Sequence, residues 1–488
     1  MAPALADGDK GQMSIGPDVE VGDKGQMLST APSAQGRPTS RWRMVALVIV
    51  LLLSLLLNVV VIVIASGQTH SSGEPGMCGP EGKGTAATNT TLPSPDSICS
   101  GNGIIHADAP TKCECYQCYV GPQCEAMARG CTLDAGSGNP LIFEKYWQER
   151  SEAALCIAPS FHIGYRFANA DNVMVLPALD EALRHLHLMV GNVAPDVVKG
   201  HHLVIGTGST QLISAALMGL SHLRAPRTIT ASKPYYGPYH SLPMYFNNSH
   251  SMVWKDTPAA GDDVVEFVTA PNNPDGSMRA PRNTSADVVY DRAYYWPHYT
   301  PIHRPLADDL MLFTLSKITG HAGLRLGWAF VKDKALAEKM WEFVGTSTLG
   351  VSHDAQWHAT GLVQYMLRRD ASPMRFAASE MQRRWQRLKA IEAAAKRPRV
   401  TLQPLMPSQK CLFWGSVRDP SPAYAWLKCQ EPDDEDCWEV LKTQGSIKGR
   451  NGGQYGASEK YVRLSLLMRP REFDILSEKL EAFMNPES

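Results

Sequence analysis

The sequence predicts an α/β fold: a large domain around a mostly parallel sheet, then a smaller C-terminal α/β domain. Strand-like runs at 202–205, 228–231, 264–270, 287–291, 310–315 and 327–331 are separated in several places by helical stretches. Strands alternating with helices imply parallel pairing. Each run also ends in a polar cluster or lies between two. In such sheets ligands bind beyond the carboxyl ends of the strands, so one pocket would collect most of these clusters.

The first run opens onto Gly206-Thr207-Gly208-Ser209-Thr210-Gln211, followed by an apolar helical stretch to Leu220. A glycine loop entering a helix offers free backbone N–H groups to a phosphate. The run 264–270 ends in Pro271-Asn272-Asn273-Pro274-Asp275-Gly276, residues that also suit a plain turn. The run 287–291 ends in Asp291, with Tyr294 three residues on. The apolar run 310–315 is followed by Ser316-Lys317 and, eight residues after the lysine, Arg325.

A lysine at the end of a buried strand is costly unless it has chemistry to do. A desolvated amine is a nucleophile towards a carbonyl cofactor, and a hydroxyl with an arginine suits a phosphate. Together they point to pyridoxal phosphate (PLP) held covalently by Lys317. Such a cofactor needs an acid at its ring nitrogen and donors at its phenolic oxygen. Asp291 supplies the first; Tyr294 and Asn273 supply the second.

The ordered set resembles the plant alliinase and tryptophan aminotransferase-related family, within the fold-type I PLP enzymes. The resemblance runs from about Cys99 to the C-terminus. It rests on the Tyr165 segment, Gly208-Ser209-Thr210-Gln211, Lys233-Pro234-Tyr235-Tyr236, Asn272-Asn273-Pro274, Tyr290-Asp291, Ala293-Tyr294-Tyr295-Trp296, the Lys317 segment and Tyr461-Val462-Arg463-Leu464-Ser465. It implies that Ser209, Thr210, Thr314, Ser316 and Arg325 take the phosphate and that Tyr236 stacks on the ring. It implies a homodimer in which Tyr165 reaches the phosphate across the interface. Arg463 would bind the substrate α-carboxylate. The implied reaction is transamination of an L-amino acid with a 2-oxo acid, L-tryptophan giving the auxin precursor indole-3-pyruvate. The alternative is C–S lysis of S-alkyl-L-cysteine sulfoxides. A third class, a non-catalytic anchored binding protein, has no need of both Asp291 and Lys317.

The chain has 488 residues and a net charge of −1, which gives no reason to expect nucleic acid. Residues 1–43 are rich in Gly, Ala, Ser, Pro and Asp and contain the near repeat Gly8-Asp9-Lys10-Gly11-Gln12-Met13 and Gly22-Asp23-Lys24-Gly25-Gln26-Met27. They are expected to be a disordered cytoplasmic tail. Residues 44–65 carry no charge, and their length suits a transmembrane helix, for which about 20 residues are needed. Arg37, Arg41 and Arg43 precede this span and no Lys or Arg follows until Lys83. By the positive-inside rule this predicts a type II single-pass protein with a lumenal or extracellular catalytic part.

A linker is expected over 66–98, a cysteine-rich module over 99–131, the PLP-binding domain over 132–374 and the small domain over 375–488. Of eleven cysteines, six fall in the tight run Cys99, Cys113, Cys115, Cys118, Cys124 and Cys131. On the non-cytosolic side they read as disulfides, with fifteen possible pairings. Cys115 and Cys118 also form a CxxC, but a zinc site would want a second one. The run resembles the EGF-like module of alliinases. That resemblance implies Cys99–Cys113, Cys115–Cys124 and Cys118–Cys131, with Cys429–Cys437 as a further pair. Cys78, Cys156 and Cys411 are left over. Asn89, Asn247 and Asn283 begin glycosylation sequons.

Overall fold

The computed structural model describes residues 99–485, apart from short breaks at 107–108, 151–152, 154, 168–173, 225–226, 251 and 284. The tail, the apolar span 44–65, the linker and Asn89 lie outside the described residues. Among the described residues no helix is long and apolar enough to cross a membrane.

The described part opens with a small cross-linked module. The hairpin of Gly103–His106 with Ala109–Cys115 is followed by the short pair Tyr119–Val120 and Ala126–Met127. So little chain cannot bury a core of its own, and three disulfides hold it: Cys99–Cys113, Cys115–Cys124 and Cys118–Cys131. Cys429–Cys437 is a fourth, and Cys156 is disulfide-bonded as well, so it is not a spare thiol. Cys411 is reduced and buried. The module runs into Leu133–Asp134, which pairs in parallel with Ile447–Lys448.

The large sheet has seven strands: β1 (His202–Gly206), β2 (Arg227–Ala231), β3 (Met252–Trp254), β4 (Val264–Thr269), β5 (Asp287–Asp291), β6 (Leu310–Thr314) and β7 (Gly327–Val331). Their order is β1-β7-β6-β5-β4-β2-β3. All pairings are parallel except those of β7, which runs antiparallel to both β6 and β1. The edge strand β3 was not expected from the sequence. It is three residues long, too short for a periodic signal.

Side chains of successive residues leave opposite faces of this sheet, and both faces are covered. Leu203, Ile205, Met311, Phe313, Trp328 and Phe330 join one apolar core. Val204, Leu310, Leu312, Ala329 and Val331 join the other, with the helices α1 (Ser209–Leu223) and α2 (Lys334–Thr348). Two-sided burial explains why the strands read as near-continuous apolar runs.

The helix α3 (Ser372–Ala394) leads to a four-stranded antiparallel sheet of β8 (Val400–Leu402), β9 (Tyr424–Cys429), β10 (Arg450–Asn451) and β11 (Tyr461–Ser465), in the order β8-β9-β11-β10. The helix begins three residues before position 375, where the small domain was expected to start, with Pro373 in its first turn, where proline's missing N–H is harmless. The chain closes on the helix Pro470–Met484.

Strand register sets the site. Asp291 lies opposite Thr269 on β4 and Leu312 on β6. Gly327 lies opposite both Thr314 and Gly206. The ends of β1, β4, β5 and β6 therefore share one edge with the start of β7. Because β7 is reversed, Arg325, which precedes it, arrives at that edge too.

Candidate active site

At this edge lies a cavity of about 290 Å³. Ser209, Thr210, Tyr236, Asn273, Asp291, Tyr294, Thr314, Ser316, Lys317, Arg325 and Arg463 all line it. Tyr165 does not. It is 79% exposed on the surface of the chain. Asn283 stands in a loop, where its Oδ1 accepts from the backbone N–H and hydroxyl of Ser285 at 3.0 and 2.8 Å. Asn247 falls within the helix Pro238–His250, and its side chain lies outside the described residues.

Lys317 follows β6 in a single helical turn, Ser316–Thr319. Its carbonyl accepts from His298 Nε2 at 2.8 Å and from the Tyr299 hydroxyl at 3.1 Å, which fixes the backbone beneath the side chain. Burial lowers His298 to about 4, so the imidazole is neutral and Nε2 carries the proton it donates. The Lys317 amine donates to the Gly138 carbonyl at 2.8 Å. Burial, reinforced by the charges of Arg463, Arg325 and Arg450, holds that amine below the ordinary lysine value. A larger share is therefore uncharged and nucleophilic near neutral pH.

Asp291 is 5% exposed. Its Oδ2 accepts from the Tyr239 hydroxyl at 2.6 Å and its Oδ1 from the Ala293 N–H at 3.0 Å. Burial raises its pKa against the pull of these bonds and of Arg292 and Lys317. A buried carboxylate of this kind favours a cationic partner, and a protonated pyridine nitrogen is one.

The end of the cavity at Gly208 is built largely from backbone. Gly208 has φ +77°, a backbone conformation that favours glycine, and a Cβ there would also run into the Arg325 guanidinium. It caps α1, whose first residues are Ser209 and Thr210. Arg325 donates to the Ala322 carbonyl at 3.0 Å and the Thr207 carbonyl at 3.3 Å, which aims its charge at the helix N-terminus. N–H groups, hydroxyls and a guanidinium together suit a phosphate dianion.

Arg463, on β11, is 2% exposed. Nη1 donates to Asn273 Oδ1 at 3.0 Å and Nη2 to the Gly136 carbonyl at 2.7 Å. Its buried Nε has no partner among the described residues. The Asn273 oxygen is thus occupied, which leaves its Nδ2 to donate.

Sequence reasoning missed Tyr424, Arg450, Thr269, Tyr239 and the segment Ser137-Gly138-Asn139. Tyr239 orients Asp291 from the helix Pro238–His250 and stacks on Phe267 with ring centres 4.5 Å apart. Tyr424 and Arg450 come from short strands of the small sheet that carry no motif. Only Ser137-Gly138-Asn139-Pro140 left a signal, as a run of turn-forming residues after the cysteine module.

These features fit PLP, and comparison with known proteins agrees. The chain shares the fold-type I PLP aminotransferase architecture of aspartate aminotransferase from Rhizobium meliloti, with a TM-score of 0.53 over 73% of this chain and 92% of that one, at 16% identity. The sequence profile of the allinase family matches residues 133–484, and the chain belongs to that family. It is 36% identical over 406 residues to tryptophan aminotransferase-related protein 3 of Arabidopsis thaliana, covering 80% of this chain and 87% of the relative. It is 34% identical over 402 residues to alliin lyase of Allium cepa var. aggregatum, covering 78% and 88%. PLP is the cofactor of this group of enzymes.

Proposed function

We propose that this chain is an aminotransferase of L-amino acids, acting on L-tryptophan with a 2-oxo acid acceptor and yielding indole-3-pyruvate. The observation that supports it most is the meeting of Lys317, Asp291 and Arg463 in one cavity. PLP bound there supplies an electron sink for negative charge on the substrate α-carbon. Lys317 would hold the cofactor and, once freed, move a proton at the α-carbon. Asp291 would keep a proton on the ring nitrogen. Tyr294 and Asn273 would donate to the phenolic oxygen. Ser209, Thr210, Thr314, Ser316 and Arg325 would hold the phosphate, with Tyr236 against the ring. Arg463 would orient the α-carboxylate with a planar fork.

A second reading, C–S lysis of an S-alkyl cysteine sulfoxide, is favoured by the disulfide-rich module and by the similarity to alliin lyases. Both reactions use the same carboxylate and α-carbon machinery, so a paired assay separates them. The full chain with PLP is given L-tryptophan plus pyruvate in one vessel and a cysteine sulfoxide in another. Indole-3-pyruvate in the first supports transamination. Pyruvate release confined to the second overturns it.

The type II orientation is part of this proposal. It is supported by the apolar span with its arginine flank and by four disulfides in the described part. Glycans on the tail, or digestion of the catalytic part in sealed microsomes, would overturn it. The exposed Tyr165 supports a homodimer, which sedimentation of the holoenzyme tests.

A further inference from the structure

Tyr424 stands at the start of β9, 3% exposed, and lines the cavity. Its hydroxyl lies 2.7 Å from that of Tyr294. Its ring lies 3.9 Å from the guanidinium carbon of Arg463. One side chain thus touches the residue that would face the cofactor's phenolic oxygen and the residue that would face the substrate carboxylate.

Two hydrogen-bonded phenols carry two protons, and only one lies between the oxygens. If Tyr424 donates, the Tyr294 proton is left for the cavity. If Tyr294 donates, it turns a lone pair to the cavity instead. Positive charge beside a phenol makes it the better donor and the poorer acceptor. Arg463 acts on Tyr424 in this way, its guanidinium lying over that ring. Burial pushes the Tyr424 hydroxyl up and the neighbouring positive charge pulls it down, whereas burial holds Tyr294 well above its ordinary value. The other titratable groups facing the pair are Arg450, Tyr236, Tyr299 and Tyr455.

We propose that Tyr424 is a positioning residue with two roles: its hydroxyl donates to Tyr294 so that Tyr294 donates into the cavity, and its ring holds the Arg463 guanidinium flat for the substrate carboxylate. This rests on the PLP assignments of Tyr294 and Arg463 made above. The hydroxyl and the ring are separable by substitution. Tyr424→Phe removes the donor and keeps the ring; Tyr424→Leu removes both.

The test uses the full chain loaded with PLP, in wild type and in Tyr424→Phe, Tyr424→Leu and Tyr294→Phe, with circular dichroism melts to check folding. Three quantities are read: the pH midpoint of the bound cofactor's visible absorbance change, the Kd for PLP, and KM and kcat for L-tryptophan and L-alanine. A donor at the phenolic oxygen stabilises negative charge there and lowers the proton affinity of the adjoining nitrogen. Weakening that donor therefore raises the midpoint. Tyr424→Phe should raise it by roughly half a pH unit, less than Tyr294→Phe does, because a cooperative bond is only a fraction of a direct one. Its KM should stay within about twofold of wild type while kcat falls. Tyr424→Leu should also raise KM about fivefold for both substrates, the fold-change of a cation–π contact of about 1 kcal/mol. A midpoint unmoved in Tyr424→Phe but raised in Tyr294→Phe overturns the first role alone. An unchanged KM in Tyr424→Leu overturns the second. A midpoint unmoved in Tyr294→Phe overturns both the first role and the assignment of Tyr294 beneath it.

Discussion

Replacing Arg463 with lysine probes the proposed carboxylate contact most directly. The arginine spends Nη1 on Asn273 and Nη2 on the Gly136 carbonyl, and lies over the Tyr424 ring. Its donors are therefore fixed in a plane, with the buried Nε still unpartnered among the described residues. Lysine keeps the charge and loses the fork. At least one charge-assisted bond to a carboxylate goes, at about 1.5–3 kcal/mol each. Since about 1.4 kcal/mol is tenfold in rate, kcat/KM should fall at least about tenfold. The α-carboxylate is common to all amino acids, so the loss should be similar for L-tryptophan, L-alanine and a cysteine sulfoxide. PLP affinity should hardly change. Steady-state kinetics on the three substrates, with PLP titration of the apo-protein, measures both. A loss for one substrate that spares the others would mean that Arg463 reads the side chain, and the substrate would have to be turned round in the cavity.

Covalent capture of PLP by the apo-protein should rise with pH through a midpoint below the ordinary lysine value. Burial lowers the Lys317 amine, and only the uncharged amine attacks. Borohydride reduction should then label Lys317, and labelling of another lysine would refute the assignment. Asp291→Asn should bind PLP but lose most turnover, and PLP should raise Tm less in this variant than in wild type. Its buried carboxylate, held up by burial, is what gains a partner from a protonated ring nitrogen. A Tm gain equal to wild type would refute that pairing. Gly208→Ala should weaken PLP binding by roughly tenfold and lower Tm, because a backbone at φ +77° disfavours a side chain and the new Cβ meets Arg325. Unchanged PLP affinity would show that the phosphate does not approach there.

The sequence alone determined the local features. Two-sided burial leaves an apolar run whatever the sheet order, so six of the seven large-sheet strands were legible. Polar clusters follow those runs because backbone amides and hydroxyls must stand at strand ends to meet a ligand, so Ser209, Asp291 and Lys317 could be read in place. Tertiary structure decided what depends on direction and on distance in the chain. The reversal of β7 is invisible locally, since a buried strand reads the same both ways, yet it alone brings Arg325 to the edge beside Gly208. Tyr424 stands 130 residues from Tyr294, and Arg463 190 from Asn273. Nothing in a short strand of the small sheet records such a partner. Those contacts exist only because the two sheets present their side chains to the same cavity, and packing, which has no sequence period, sets where they meet.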